Sequence, residues 1–112
     1  MSDRSNPNLL LTDIVASGDK ILRYTADMTF DDFISDEIII DAVIRNFEII
    51  WEAANRLTDD FKDKYPEIDW HRMRGFRNRI VHDYVGIDFG IVWRIKETLL
   101  PDLLARIKSI LG

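Results

Sequence analysis

Ile40, Val43, Phe47, Ile50, Ala54 and Leu57 recur at intervals of 3, 4, 3, 4 and 3 residues. That spacing tracks the ~3.6-residue turn of an α-helix and places all six side chains on one stripe. The stripe predicts a helix from about Asp36 to Leu57. A helix with one long apolar face must bury it against other elements. The alternating pattern of strands is nearly absent elsewhere in the chain, so those elements are helices too.

The flanking segments fit that requirement. Asn6 and Pro7 open a first helix, since proline in the first turn lacks only an N–H that would have no partner anyway. Leu10, Ile14, Ile21 and Tyr24 lie on its stripe, and it is expected to end near Ala26 or Asp27. Thr29 suits the N-cap of a short helix over 30–35, with Asp31 and Asp32 at the positive end of its dipole. After the central helix, residues 58–62 read as a frayed tail before Pro66. Asp69 caps a helix from Trp70 to about Val85, with Gly86 at its stop position. Asp88 caps the last helix, in which Pro101 predicts a kink or break near Leu99. Leu103, Leu104, Ile107 and Leu111 then resume the stripe. The expectation is an all-α fold, an antiparallel up-and-down bundle of four long helices plus a short one, with 1–112 as a single helical domain.

Composition narrows the function. Apolar residues make up 46% of the 112-residue chain, enough for a core, and there is no cysteine. Thiol nucleophiles and cysteine-based metal sites are therefore excluded. The two histidines leave little for a metal site, so no metal and no cofactor is expected. No apolar run approaches the ~18–20 residues of a membrane span. The N-terminal residues lack the basic-then-apolar order of a signal peptide, so the expectation is a cytoplasmic protein.

The net charge of −5 argues against a protein that wraps duplex nucleic acid. Its distribution is uneven, however. Residues 1–70 hold 7 Lys/Arg against 16 Asp/Glu, and residues 71–112 hold 8 against 4, so that −9 and +4 make up the total. Four arginines and both histidines crowd into the segment from His71 to Tyr84.

On a helical wheel at about 100° per residue, Arg77 falls mid-stripe among Trp70, Met73, Ile80, Val81 and Tyr84. A guanidinium there must be paired or hydrated. Asp41, Glu48 or Glu52 of the central helix could pair with it, or the stripe could face a cleft or a second subunit. His82 lies about 140° from Arg77, on a second stripe with His71 and Asn78. The two do not converge from one straight helix. A distorted helix end would bring them together, and so would a symmetric dimer with one group from each protomer.

Arg77-Asn78-x-x-x-His82-x-Tyr84 resembles the R-x4-H-x-Y signature of the HepT toxins of the HEPN superfamily. Residues 42–45, 48–50 and 52–54 are similar to the family's central helix, and Ile68-Asp69-Trp70, Gly86-Ile87-Asp88 and Trp93 also fit. The likeness spans about Leu10 to Leu111. Two positions depart from it: Trp51 stands where the family usually has Gly, and Asp69 where Pro is common.

The resemblance implies a homodimeric HEPN bundle with a composite site between subunits. It also implies a metal-independent endoribonuclease acting as a prokaryotic toxin. Its partners would be RNA (tRNA or mRNA) and an antitoxin of the MNT type, a minimal nucleotidyltransferase that adds AMP to the motif tyrosine. By position, Arg77 and His82 become the catalytic residues, Asn78 a supporting one and Tyr84 the modification site. Arg72, Arg74 and Arg79 are candidate contacts to the RNA backbone. The residue types suit the chemistry. RNA supplies its own 2′-OH nucleophile, histidine shuttles protons near neutral pH, and arginine stabilises charge on a phosphoryl group. The acidic first 70 residues also suit the alternative of a non-catalytic helical partner, or substrate, of a nucleotidyltransferase.

Overall fold

The computed structural model describes the backbone of residues 6–81 and 87–112, with all side chains in those spans except those of residues 76 and 78–81. Every regular element among the described residues is helical. Helix α1 covers Pro7–Tyr24, α2 Phe30–Ile34, α3 Glu37–Arg56, α4 Asp59–Asp63 and α5 Trp70–Val81. The C-terminal run comprises α6 (Phe89–Arg94), a π-helical turn (Ile95–Leu99) and α7 (Leu100–Leu111). The all-α bundle expected from periodicity is the observed fold.

The starts are set by side-chain caps. The side chain of Asn6 accepts from the N–H of Asn8 at 2.9 Å, with Pro7 as the first helical residue of α1. Thr29 and Asp32 form a reciprocal capping box on α2, at 3.1 Å and 3.0 Å. Asp36, Asp69 and Asp88 accept from the N–H groups of Ile39, Arg72 and Ile91 at the starts of α3, α5 and α6. Each cap satisfies a helix-start donor that has no intrahelical acceptor.

Two boundaries differ from the sequence expectation, and a third meets it in a form the sequence did not specify. Helix α1 stops at Tyr24 rather than Ala26 or Asp27. The N–H of Thr25 returns to the carbonyl of Ile21, and Asp27 adopts a left-handed φ of 61°, which ends the helix. Residues 58–62 are not a frayed tail. Thr58 accepts from the N–H of Phe61 at 3.1 Å and starts α4, whose Phe61 ring meets Tyr65 at 5.1 Å between centroids. Near Leu99, where Pro101 predicts a kink or break, the α-helical bonding is interrupted by a π turn rather than by a gap in the helical run. Pro101 has no N–H for the carbonyl of Glu97. The π turn just before it shifts the bonding so that the N–H of Leu100 reaches Ile95, five residues back. The wider turn accommodates the proline, and the helix runs on into α7.

The core lies where α1, α3 and α7 meet. Leu11, Ile14 and Ile21 of α1, Val43, Phe47 and Ile50 of α3, and Leu100 and Ile107 of α7 are almost wholly buried. Each such side chain contributes roughly 1.5–3 kcal/mol by leaving water. Phe33 of α2 carries the core to the other end, where its ring sits 5.1 Å from that of Trp93. Helix α5 packs on α3 and buries Met73, while His71, Arg72, Arg74 and Arg77 stay exposed. A basic helix is thus held on the outside of an apolar bundle.

Candidate functional site

A groove of about 560 Å³ lies between α3, α4 and α5. Its α3 side is built from Arg45, Glu48, Glu52 and Asn55, spaced 3, 4 and 3 residues apart and hence on one face beside the buried stripe. Helix α5 contributes Trp70, Met73, Arg74 and Arg77, again at helical spacing, and α4 contributes Lys62. Trp51 and Ala54 complete the lining.

Four cations therefore face two carboxylates in this groove, in a protein whose net charge is −5. The carboxylates are engaged along α3 itself. Glu48 stands 3.7 Å from Arg45, and Glu52 accepts from Arg56 at 2.8 Å. Both pairs are exposed and so hold their partners weakly, at about 0–1 kcal/mol each. Arg74 donates to the side-chain oxygen of Asn55 at 3.2 Å and bridges α5 to α3. Among the described residues no carboxylate lies within ion-pair reach of Arg77 or Lys62. The ion pair considered for Arg77 with Asp41, Glu48 or Glu52 is thus not formed there. Arg77 falls mid-stripe on α5 yet is exposed, and it lines the groove.

The structure separates the arginines that the sequence grouped. Arg74 and Arg77 line the groove. Arg72 faces a second cavity, of about 160 Å³, that it shares with Glu67, Asp102 and Arg106. The backbone of Asn78 and Arg79 belongs to α5, but their side chains lie outside the described set. His82 and Tyr84 lie outside the described residues altogether, as does the expected stop at Gly86. Among the described residues no group of three or more His, Asp or Glu is placed to hold a metal ion.

Sequence reasoning missed Arg45 and Lys62 as groove residues. Arg45 falls off the apolar stripe and reads as a solvated cation. Lys62 sat in the supposed frayed tail, although Thr58 followed by Asp59 and Asp60 was a legible helix start. Trp51, the departure from the expected glycine, is accommodated by stacking. Its ring lies 5.4 Å from that of Phe47 with a 14° interplanar angle, and only 6% of the residue is exposed. The indole Nε1 of Trp70 is buried without a hydrogen-bond acceptor among the described residues.

The family model described as "Ribonuclease HepT-like" matches residues 14–110. The chain belongs to the HepT-like ribonuclease family. Two proteins of Methanocaldococcus jannaschii named as candidate RNases are 39% and 35% identical to it. The alignments cover 90% and 89% of this chain and 84% and 92% of theirs. The "Probable ribonuclease HepT" of Thermococcus cleftensis is 34% identical over 100 residues, covering 89% of this chain and 91% of that protein. No solved structure matches the chain. Among the described residues of this HepT-like chain, no helix is long and apolar enough to cross a membrane.

Proposed function

We propose that this HepT-like ribonuclease is a toxin that cleaves RNA without a metal ion, with Arg77 and His82 as its catalytic residues. The observation that carries the reading is the exposed Arg77 guanidinium in a cation-rich groove, without a carboxylate partner among the described residues. A structural arginine buried in a bundle would need a partner, whereas Arg77 is exposed in the groove and open to an anion. An arginine that binds a phosphate must be left available for it. In the proposed reaction the 2′-oxygen attacks the adjacent phosphorus and the bond to the 5′-oxygen breaks. His82 takes the 2′ proton, and a proton is returned to the leaving 5′-oxygen. The products are a 2′,3′-cyclic phosphate and a 5′-hydroxyl. Arg77 stabilises the charge that builds on the phosphoryl oxygens. In a homodimer the site would be composite, Arg77 and His82 coming from different protomers, with Asn78 in support.

The antitoxin in this reading is an MNT-type nucleotidyltransferase that silences the enzyme by adding AMP to Tyr84. The acidic corner between α2 and α3 supports a basic protein partner. There Ile38 is 80% exposed and Ile34 43%, beside Asp31, Asp32 and Glu37. The test is cleavage of a tRNA and mRNA pool by purified protein in EDTA. Activity is expected to persist in the chelator and to vanish in Arg77→Ala and in His82→Ala. A requirement for Mg²⁺, or full activity without His82, would refute the mechanism. Co-expression with a nucleotidyltransferase should add the mass of AMP at Tyr84 and abolish cleavage. Stable binding with no nuclease activity at any stage would instead favour a non-catalytic partner.

A further inference from the structure

The groove contains more positive charge than a single scissile phosphate needs. Arg77 suffices to clamp one phosphoryl group. Arg45 and Lys62 reach the groove from other helices, and the backbone that carries them is independent of α5. Arg45 and Lys62 are held less closely by carboxylates than Arg106 and Lys108, outside the groove, are. Arg106 is committed to Asp102 at 2.9 Å, and that hydrogen bond, with the carboxylate's charge, raises the arginine's pKa further. Lys108 is committed to Asp19 at 3.1 Å. Arg45, by contrast, meets Glu48 only at 3.7 Å, with 68% of its side chain exposed. Lys62 is half-buried at the groove wall, with no carboxylate in reach among the described residues.

We propose that Arg45 and Lys62 form a phosphate-binding subsite on the α3 and α4 side of the groove. It would hold the backbone of a single-stranded RNA while Arg77 engages the phosphate to be cleaved. The inference rests on the ribonuclease reading above and adds a binding element that the signature motif does not contain. A groove of about 560 Å³ is of the size that encloses a small ligand, and so takes one strand rather than a duplex. Glu48 and Glu52 in the same lining set an upper limit on affinity by repelling the strand.

The experiment is fluorescence anisotropy with a labelled, mixed-sequence 2′-O-methyl RNA dodecamer, which cannot be cleaved, across a salt series. Each phosphate contact on a single strand contributes about 0.7 to the slope of log K against log salt. Arg45→Ala and Lys62→Gln should each lower that slope by about 0.7, and the double variant by about 1.4. Glu48→Gln should tighten binding. Arg106→Gln and Lys108→Gln, away from the groove, should leave the slope unchanged. Lys62→Arg should restore it, which a merely structural role for Lys62 would not require. RNA cleavage by wild-type protein with unchanged slopes in Arg45→Ala and Lys62→Gln would overturn this inference alone. Equal slopes on a 2′-O-methyl duplex of the same sequence would overturn its single-strand element. If wild-type protein neither binds nor cleaves RNA, the ribonuclease reading falls and the subsite with it.

Discussion

Gly18 offers a test of the fold in which the sign of a mutation should reverse. It lies buried in α1 against α7. A methyl group built on its Cα would stand 2.5 Å from Cδ2, 2.8 Å from Cδ1 and 3.0 Å from Cγ of Leu104. Leu104 is only 2% exposed, so its side chain cannot swing into solvent. Overpacking of this kind costs about 1–3 kcal/mol. Opposing it, alanine gains about 0.8–1.0 kcal/mol over glycine in a helix interior. Gly18→Ala should therefore destabilise the protein by a net of roughly 1 kcal/mol. Leu104→Ala alone should cost about 2–5 kcal/mol. In that background the added methyl enters vacated space, so Gly18→Ala should now stabilise by up to about 1 kcal/mol. The coupling between the two sites is then about 2 kcal/mol. Urea denaturation followed by far-ultraviolet circular dichroism would read all four proteins, at one protomer concentration because the apparent stability of any self-associating protein depends on it. Stabilisation in both backgrounds would show that α1 and α7 do not approach at Gly18. Destabilisation in both would show that the new methyl meets something other than Leu104.

Two other substitutions carry expected outcomes. Gly75 on α5 has nothing within 4 Å of a built Cβ among the described residues. Gly75→Ala should raise stability by up to about 1 kcal/mol in the same urea assay, and a loss would mean that another surface approaches α5 there. Trp51→Gly, which installs the residue usual in the family, should cost at least about 3–5 kcal/mol through the cavity left beside Phe47. A loss below about 1 kcal/mol in thermal unfolding would show that α3 and α5 can collapse onto the smaller residue.

Much of the local architecture was legible in the residues. The stripe from Ile40 to Leu57 is buried as its spacing requires, and Asn6, Thr29, Asp36, Asp69 and Asp88 cap the helices that follow them. The misses have particular causes. Helix α4 was passed over because its five residues are too few for periodicity to register, although its cap was visible. The interruption that Pro101 predicts near Leu99 takes the form of a π turn, because a missing N–H can be absorbed that way as well as by a kink.

The sequence by itself determined which of the longer segments are helices and which face of each is apolar. Those properties depend on residues within a few turns of one another, through backbone hydrogen bonds, caps and side-chain spacing. It also excluded thiol chemistry and cysteine-based metal sites, since no cysteine is present. Only the tertiary structure decided which arginines share a site. Arg72 and Arg74 are two residues apart, about 200° around a helix, and so face different neighbours. Arg74 and Arg77 meet Arg45 and Lys62 in one groove, while Arg72 faces Asp102 across the other cavity. That partition is set by how α5 lies on α3 and where α4 ends. These are matters of long-range packing, which no local pattern encodes.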